Sequence, residues 1–445
     1  MKNQPKGFYL LNFASMWECF SYYGMRALLV LFMVKELRLS DSEAYATYAL
    51  YITLVELGGV LGGILADKYL SLKGAITIGG WAIFCGHLLL GFSEGVLPLF
   101  FLSLGLIVAG TNLFRVNIPA AIGNLYEEED SRRDRGFTLF YATINIGGLL
   151  ATLVCGILGE TYGWHYGFGA AAFGMLLGNI ALLLKGNVIK ELSWKKSLCG
   201  IAYIIIAAPS VAGALYAAQS FAPFATFLVA GTLLLMYRKV MNNAGLRKLA
   251  GMVLFLVLFY ACEELLGSSL VVFAERHVDR VTWFGEIPAS TLSVLNPLTI
   301  LLAGAFVARG VMSPLSKIQM SLLFLTGAFI LLYYAAGLEN TPLAYAVASI
   351  AAISIGELFI GPTIYAESAK VSPKNERGFT MAIVTLGFSL ANLLSGVLSQ
   401  QMASEEASSH FAFQEGFGMI AILVCVILGI SFISKRFYEN QIAKI

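Results

Sequence analysis

The sequence predicts an all-α protein that crosses a membrane many times. Of its 445 residues, 58% are apolar and 13% are charged, which is about half the charged share of a soluble domain. The apolar residues form long runs, and a helix of about 20 apolar residues is what a bilayer core requires. Strand patterns are absent from the sequence, so no β-structure is predicted.

The apolar runs predict about fourteen helices in groups of six, two and six. The first six cover residues 8–36, 42–68, 72–93, 96–126, 135–160 and 163–185. A shorter pair covers 196–217 and 221–237, and the last six cover 246–276, 288–309, 314–337, 341–370, 377–402 and 411–434. This grouping predicts a six-helix bundle over residues 1–187, a linker with an accessory helix hairpin over 188–243, and a second six-helix bundle over 244–445.

The positions of lysine and arginine predict the orientation. With the N-terminus placed in the cytoplasm, 23 of the 29 basic residues fall on the cytoplasmic side and four on the outside. Arg26 and Arg115 lie within helices. Such an imbalance is typical of a membrane protein with both termini in the cytoplasm. The residues before the first helix are short and polar, so we expect that helix to be retained. The short loops indicate a bacterial cytoplasmic (inner) membrane.

Several function classes find no support in the sequence. The six cysteines are scattered singly, and no Cys or His spacing is typical of a metal site. No glycine-rich loop lies between a strand and a helix, and no nucleophile–base pair is evident. The net charge is +2 without a long basic run, so no nucleic-acid partner is expected. We therefore expect no enzymatic activity and no bound cofactor.

Ionisable residues at membrane depth mark the candidate site. Each costs about 2.5–3.5 kcal/mol to insert, so each should face a cavity or a partner. Seven candidates lie within predicted helices: Glu18, Arg26, Glu56, Arg115, Glu263, Glu264 and Glu357. Five are acidic and two are basic, so full ionisation would give a net charge of −3. Crowding and desolvation both favour the protonated form of a carboxyl group, and this excess predicts proton-binding sites.

Several segments in order along the chain resemble the signatures of one transporter family. They are ECFSYYGMRA at 18–27, FYATINIG at 140–147, GWHYGFG at 163–169, residues 267–276, residues 287–297 and GELFIGP at 356–362. The first resembles ExxERFxYYGMRA, the second FYxxINxG and the last GExxxSP. These are signatures of the proton-dependent oligopeptide transporter (POT) family. The resemblance implies the major facilitator fold, with proton-coupled import of short peptides by alternating access.

The resemblance also implies roles for individual residues. Arg26 matches the arginine that binds the carboxylate end of a peptide. Arg115 stands where the family usually has a lysine, within the motif KPN. In the family, that lysine takes part in binding the substrate carboxylate and in proton coupling. Glu357 matches a glutamate that contacts the peptide amino group or pairs with the helix-four cation.

The proton-binding glutamate of the family's seventh helix matches either Glu264 or Glu263, because the alignment with the family motif allows both registers. Neutral hydrogen bonds to the peptide are expected from the tyrosine and asparagine side chains of the signatures, which are Tyr22, Tyr23, Asn145 and Asn296. The asparagines have a second interpretation, as hydrogen bonds between helices.

The sequence departs from the family pattern at the candidate site. Ser15 and Cys19 replace the first glutamate and the arginine of ExxER. Glu18, left without that arginine, is expected to protonate more easily and to be neutral. Glu56 and Val384 stand where the family commonly has a tyrosine and a tryptophan.

These departures leave two alternatives to proton-coupled peptide import. One is an uncoupled facilitator or exchanger for another small zwitterion or anion, and the other is a receptor that does not transport. The proton-coupling candidates are Glu18, Glu56, Glu263 and Glu264. A small peptide or zwitterion and the lipid bilayer are the expected partners, and a monomer is the expected state.

Two further groups complete the predictions. Asp67 and Lys68 belong to GILADK, which is similar to the helix 2–3 signature of facilitators, in which the aspartate helps to close the cytoplasmic gate. They have a second interpretation as a solvated charge pair at a helix end. His277 and His410 fall in external segments, and we expect them to be exposed to solvent.

Overall fold

The residues described by the computed structural model are almost entirely helical. They are residues 4–127, 130, 132–184, 194–218, 240–283, 285–307, 312–371, 377–403 and 410–442. The chain divides into two compact units, Met1–Phe221 and Ala222–Ile445. Each unit is built around a set of long apolar helices.

The helices of the first unit follow the predicted order. They are α1 (Phe8–Lys35), α2 (Asp41–Leu65), α3 (Leu72–Gly91), α4 (Leu97–Phe114), α5 (Asn117–Gly123), α6 (Arg133–Ile157), α7 (Trp164–Leu184) and α8 (Trp194–Ala218). A π-helical turn extends α2 over Ala66–Leu70, and another extends α6 over Leu158–Tyr162. Helix α1 packs against α6 and α7, and α3 packs against α4 and α7.

The second unit contains the remaining described helices. They are α9 (Ala244–Glu263), α10 (Ser269–His277), α11 (Leu295–Val307), α12 (Pro314–Ala336), α13 (Leu343–Val371), α14 (Arg377–Gln401) and α15 (His410–Ile442). Turns of 3-10 helix lie at Glu264–Gly267 and Ala289–Val294. Helix α12 packs against α13 and α15, and α9 packs against α13 and α14.

Thirteen of the fourteen predicted helices fall on described helical residues. The fourteenth, 221–237, lies outside the described residues. Eleven described helices are long and apolar enough to cross a membrane. The prediction of an all-α polytopic protein is therefore confirmed.

Two predicted helices are interrupted in the structure. The helix predicted over 96–126 breaks at Arg115, between α4 and α5. Pro119 explains this break, because proline has no N–H to donate to the carbonyl of Arg115 four residues earlier. The helix predicted over 246–276 changes to a 3-10 turn at Glu264–Gly267 before α10 begins. Adjacent glycine and serine residues, Gly267 and Ser268, are typical of such kinks. Both breaks place an ionisable residue at a helix end.

Helices α2 and α4 approach each other closely through glycines. A Cβ atom on Gly62 would lie 1.7 Å from the carbonyl oxygen of Asn112, and one on Gly58 would lie 1.8 Å from its Nδ2. Glycines one helical turn apart allow this kind of backbone contact between membrane helices. The end of α4 is therefore held directly against α2.

Helix α8, the first of the predicted accessory pair, packs against α2, α3 and α4 of the first unit. A Cβ atom on Gly105 of α4 would lie 2.1 Å from the carbonyl oxygen of Ala208 in α8. The boundary between the two units, after Phe221, falls in a segment outside the described residues. The division at 187 and 243 stays a prediction.

Within the described part of the chain, four two-residue strands lie between α10 and α13, where no strand was predicted. Strand β1 (Val278–Asp279) pairs in parallel with β4 (Thr341–Pro342), and β2 (Val281–Thr282) pairs antiparallel with β3 (Gly285–Glu286). Segments of two residues are too short to show a period of two, so the sequence carries no signal for them.

Arg280 connects these strands to the end of α10. Its side chain is 7% exposed, and its Nη2 donates to Glu275 Oε2 at 2.8 Å and to Glu286 Oε1 at 2.9 Å. Its Nε donates to the carbonyl of Ala274 at 3.1 Å. A buried guanidinium with this many acceptors fixes the direction in which the chain leaves α10.

The expectation that His277 and His410 are exposed to solvent is wrong for His277, whereas His410 is partly exposed. His277 is 7% exposed, and its Nδ1 lies 3.2 Å from Nε2 of His410. The ring centroid of Phe273 lies 5.6 Å from that of His277, and the Phe413 centroid lies 5.5 Å from it. The contact joins residues 133 positions apart, and the sequence pattern does not report such contacts.

Acidification is expected to weaken the fold through His277. Burial lowers the pKa of His277 to about 4, with smaller contributions from His410 and Arg276. The unfolded chain has the ordinary pKa of about 6.5, so it takes up this proton first. The stability that the neutral ring contributes is complete above about pH 6.5 and is lost as the pH falls toward 4.

We therefore expect the melting temperature in detergent to fall between pH 7.5 and pH 4.5 by less in His277→Gln than in the unchanged protein. His165→Gln is the matched control, because the His165 side chain is 51% exposed. Equal pH dependence of the melting temperature in His277→Gln and the unchanged protein would contradict this assignment.

Candidate functional site

The break after α4 aims Arg115 at the middle of α1. Its Nη2 and Nε both donate to Oε1 of Glu18, at 2.8 and 3.2 Å. The Glu18 side chain is only 2% exposed, and that of Arg115 is 29% exposed. The second carboxylate oxygen of Glu18 accepts a weak hydrogen bond from the thiol of Cys19 at 3.6 Å. Because the Glu18 carboxylate is so deeply buried, the pair is sensitive to the loss of its cation.

This pair corrects one expectation about Glu18. The loss of the arginine at position 19 led us to expect a carboxyl group without a cation. Arg115 supplies that cation from a different helix, 97 residues further along the chain. The expectation failed because it considered only the partner within the same motif.

The guanidinium groups of Arg26 and Arg115 share one tyrosine ring. Arg115 lies 3.8 Å from the ring centroid of Tyr22, and Arg26 lies 5.3 Å from it. Arg26 also donates from Nη2 and Nε to the hydroxyl of Tyr48 at 2.6 and 3.1 Å. The ring centroid of Tyr23, which is 42% exposed, lies 5.8 Å from Arg26. The structure thus brings together four predicted substrate-binding residues.

Two tyrosines of α2 belong to this cluster and were missed in the sequence. Tyr48 holds Arg26. Tyr51 is fully buried and stacks on Tyr22 with ring centroids 6.5 Å apart. Among the described residues, its hydroxyl has no hydrogen-bond partner. Their spacing with Tyr45, three residues apart along one helix, was a usable signal because such residues share a helix face.

A second cluster lies in the C-terminal unit. The Nδ2 atom of Asn296, in the first turn of α11, donates to Oε2 of Glu357 in α13 at 2.8 Å. Glu264 begins the 3-10 turn after α9 and lies within electrostatic range of Glu357. Glu263 ends α9, and it is partly buried like Glu264. The choice between these two glutamates as the proton site stays open.

The remaining predicted site residues lie on α2, on the π-helical turn that extends it, and on α6. Asn145 donates to the carbonyl of Tyr141 within α6 at 2.8 Å. Glu56 is partly buried on α2, and Asp67 and Lys68 are exposed in the π-helical turn that follows it. The exposed position of Asp67 and Lys68 is compatible with both interpretations of the pair. The roles of these residues stay predictions.

The chemistry of the two clusters differs. In the first unit, two guanidinium groups and several tyrosines form an environment suited to a carboxylate, which the planar arginine fork binds well. In the second unit, an amide and two carboxyl groups form an environment suited to an amino group or a proton. Each cluster draws its residues from several helices of its own unit.

Comparison with known proteins identifies the family. The sequence model of the POT family (PTR2) matches residues 73–420. This chain belongs to the POT family. It is 32% identical to the uncharacterized transporter YclF of Bacillus subtilis (strain 168), over 90% of this chain and 87% of that protein. It is 30% identical to the peptide transporter YePEPT of Yersinia enterocolitica subsp. palearctica, over 89% of this chain and 88% of that protein.

Solved structures agree with this assignment. The crystal structure of the peptide transporter POT in complex with sulfate is 29% identical, covers 96% of this chain and 94% of its own, and superposes with a TM-score of 0.81. The POT-family chain is thus a multi-pass membrane transporter with the major facilitator fold, as the resemblance implied. The crystal structure of tetrameric PepTSo2 shares the fold at 21% identity and a TM-score of 0.84, and it covers 98% of this chain and 98% of its own. The expected monomer stays a prediction for this POT-family protein.

Proposed function

We propose that this POT-family transporter imports di- or tripeptides, or a related zwitterion, together with protons. The observation that carries the proposal is the opposite chemistry of the two clusters. A zwitterionic peptide has a carboxylate suited to Arg26 and Arg115, and an amino group suited to Glu357 and Asn296. The dipeptide and tripeptide permease A of Proteus mirabilis (strain HI4320), 26% identical over 99% of this chain, supports the substrate class.

The pair of Glu18 and Arg115 suggests how a proton would couple to substrate. While Glu18 is ionised, it holds Arg115 at 2.8 Å. Protonation of Glu18 would weaken this pair and release the guanidinium group for a substrate carboxylate. The carboxyl groups of Glu264 and Glu357 would carry the proton in the other unit.

The driving force suffices for uphill import. A membrane potential of 100 mV supplies about 2.3 kcal/mol per charge, and one pH unit supplies about 1.4 kcal/mol. One proton per substrate would then support roughly 500-fold accumulation. This direction assumes a bacterial cytoplasmic membrane with both termini inside, which the distribution of basic residues supports. We propose no catalytic activity and no cofactor other than the proton.

A second candidate is an uncoupled exchanger for another small zwitterion or anion. The replacements Ser15 and Cys19 favour it, because they remove two of the three charges of the ExxER motif. Arg115 also favours it, since an arginine does not titrate in the physiological range and cannot itself carry the proton. A receptor that binds peptide without transport is a third outcome of the same experiment.

Uptake of labelled dialanine into proteoliposomes tests the proposal. With the outside acidic and the inside negative, we expect accumulation that stops when ionophores collapse both gradients. Glu264→Gln should lose accumulation but keep exchange of labelled for unlabelled peptide. Glu339→Gln is the matched control, because Glu339 is exposed on a loop.

Three other outcomes of this experiment would contradict parts of the proposal. Exchange without any accumulation in the unchanged protein would favour the exchanger. Binding without transport would favour a receptor. A lack of both binding and uptake for every peptide at every pH would remove the substrate class.

A further inference from the structure

Three buried serine hydroxyls meet where the 3-10 turn separates α9 from α10. Ser268 and Ser269 lie at the start of α10, and Ser399 lies near the end of α14. The Oγ atoms of Ser268 and Ser399 are 2.9 Å apart and share a hydrogen bond, and Ser269 Oγ lies 3.4 Å from Ser399 Oγ. Each of the three residues is at most 1% exposed. This serine cluster therefore connects α14 to the interruption between α9 and α10.

The serine cluster also reaches the backbone of Glu264. The hydroxyl of Ser268 donates to the carbonyl oxygen of Glu264 at 3.2 Å. A hydroxyl has one proton and two acceptor lone pairs. While Ser268 donates to this carbonyl, the hydrogen bond between the two serines is donated by Ser399. A side chain of α14 is thus linked, through one hydroxyl, to the first residue of the 3-10 turn.

The hydroxyl of Ser268 takes the place of a backbone donor. In a continuous α-helix, the N–H of Ser268 would donate to the carbonyl of Glu264, four residues earlier. Here it donates to the carbonyl of Leu265 at 3.1 Å. Serine side chains are among the groups that bond backbone atoms at a helix interruption within a membrane. Helix α14 packs against this turn, so Ser399 can hold the substitute donor in place.

We propose that Ser399 is a positioning residue for the proton site at Glu264. By holding Ser268, it fixes the 3-10 turn and therefore the direction in which the Glu264 carboxyl group leaves the backbone. A 3-10 turn has poorer hydrogen-bond geometry than an α-helix, so its direction depends on such contacts. The consequence for transport rests on the proposed function, in which Glu264 carries a proton.

Ser399→Ala tests this role, because it removes the hydroxyl and little else. We expect the pH of half-maximal dialanine uptake to shift by about half to one pH unit, the shift that corresponds to one lost hydrogen bond. Ser399→Thr keeps a hydroxyl and should keep the original pH dependence. Ser389→Ala is the matched control, since Ser389 is buried on the same helix and donates to the carbonyl of Thr385 within it at 3.0 Å. An equal shift in Ser399→Ala and Ser389→Ala would contradict the proposal.

A double-mutant cycle separates positioning from packing. Ser268→Ala removes the hydroxyl through which Ser399 acts on Glu264. In a Ser268→Ala background, adding Ser399→Ala should therefore cause no further shift in the pH dependence of uptake. The same added shift in both backgrounds would mean that Ser399 acts independently of Ser268, and the proposal would be overturned.

A readout without substrate keeps this proposal separate from the proposed function. Deuterium exchange of the backbone amides of residues 264–272 is measured in the detergent-solubilised protein. Ser399→Ala should speed this exchange several-fold, because it loosens the turn locally, whereas Ser389→Ala should not. An unchanged exchange rate would overturn the positioning role even if peptide transport is demonstrated.

The two readouts together distinguish the remaining outcomes. Faster exchange in Ser399→Ala would support the positioning role even if dialanine is not a substrate. Faster exchange combined with an unchanged pH dependence of uptake would limit Ser399 to packing, and the positioning role would be overturned.

Discussion

Arg115→Met is expected to destabilise the protein strongly. It leaves the Glu18 carboxylate, whose side chain is 2% exposed, without its cation. An uncompensated buried charge of this kind costs about 3–5 kcal/mol. The melting temperature in detergent should fall by many degrees. Proton-driven uptake should be lost at every pH.

Two further variants test whether the loss of stability comes from the ion pair between Glu18 and Arg115. Arg115→Lys keeps the charge and should stay close to the unchanged protein in melting temperature. Adding Glu18→Gln to Arg115→Met removes both charges and should recover much of the lost stability, although not transport. A double variant less stable than Arg115→Met alone would mean that the pair is not the source of the effect.

Gly62→Ala is expected to prevent normal folding of the N-terminal unit. The added Cβ would meet the carbonyl oxygen of Asn112 at 1.7 Å and its carbonyl carbon at 2.5 Å. These are backbone atoms, so no side chain can rotate away, and α2 and α4 must separate. Overpacking in a tight core costs about 1–3 kcal/mol, and we expect a cost at or above the upper end.

Gly63→Ala provides the matched control for this substitution. It makes the same chemical change one residue further on, where a Cβ atom meets nothing within 4 Å among the described residues. Size-exclusion chromatography in detergent should show a single folded species for Gly63→Ala and aggregated or poorly expressed protein for Gly62→Ala. Equal behaviour of the two variants would contradict the described contact between α2 and α4.

The helices could be predicted from the sequence because long apolar runs report membrane spans directly. Their interruptions were missed, although a signal was present. Pro119 inside the predicted helix 96–126 indicated a break at Arg115, and Gly267 followed by Ser268 indicated a kink after Glu264. Both breaks set the direction of a site residue, so the site geometry depends on details that hydropathy does not report.

Candidate site residues could be named from the sequence, but most of their partners could not. Arg26, Arg115, Asn296 and Glu357 were identified by type and by family motif. The pairs Glu18–Arg115 and Asn296–Glu357 join residues 97 and 61 positions apart. Such pairs depend on which helices become neighbours, and this is a property of the packed unit.

The pair formed by Glu18 and Arg115 helps to explain the departures from the family motif. The first helix lacks the ExxER arginine, while the fourth helix carries arginine where the family usually has lysine. Glu18 therefore keeps a guanidinium partner, now in Arg115, and Cys19 donates only a weak hydrogen bond. The charge balance around Glu18 is preserved, but the cation comes from the end of α4 and not from α1 itself.

Simultaneous measurement of peptide and proton entry tests the central claim most directly. Proteoliposomes that contain a pH-sensitive dye are given labelled dialanine on an acidic outer side. We predict that the lumen acidifies only when peptide is added, in step with uptake, and that Glu357→Gln abolishes this acidification. Peptide entry at the full rate without any acidification of the lumen would contradict proton-coupled import.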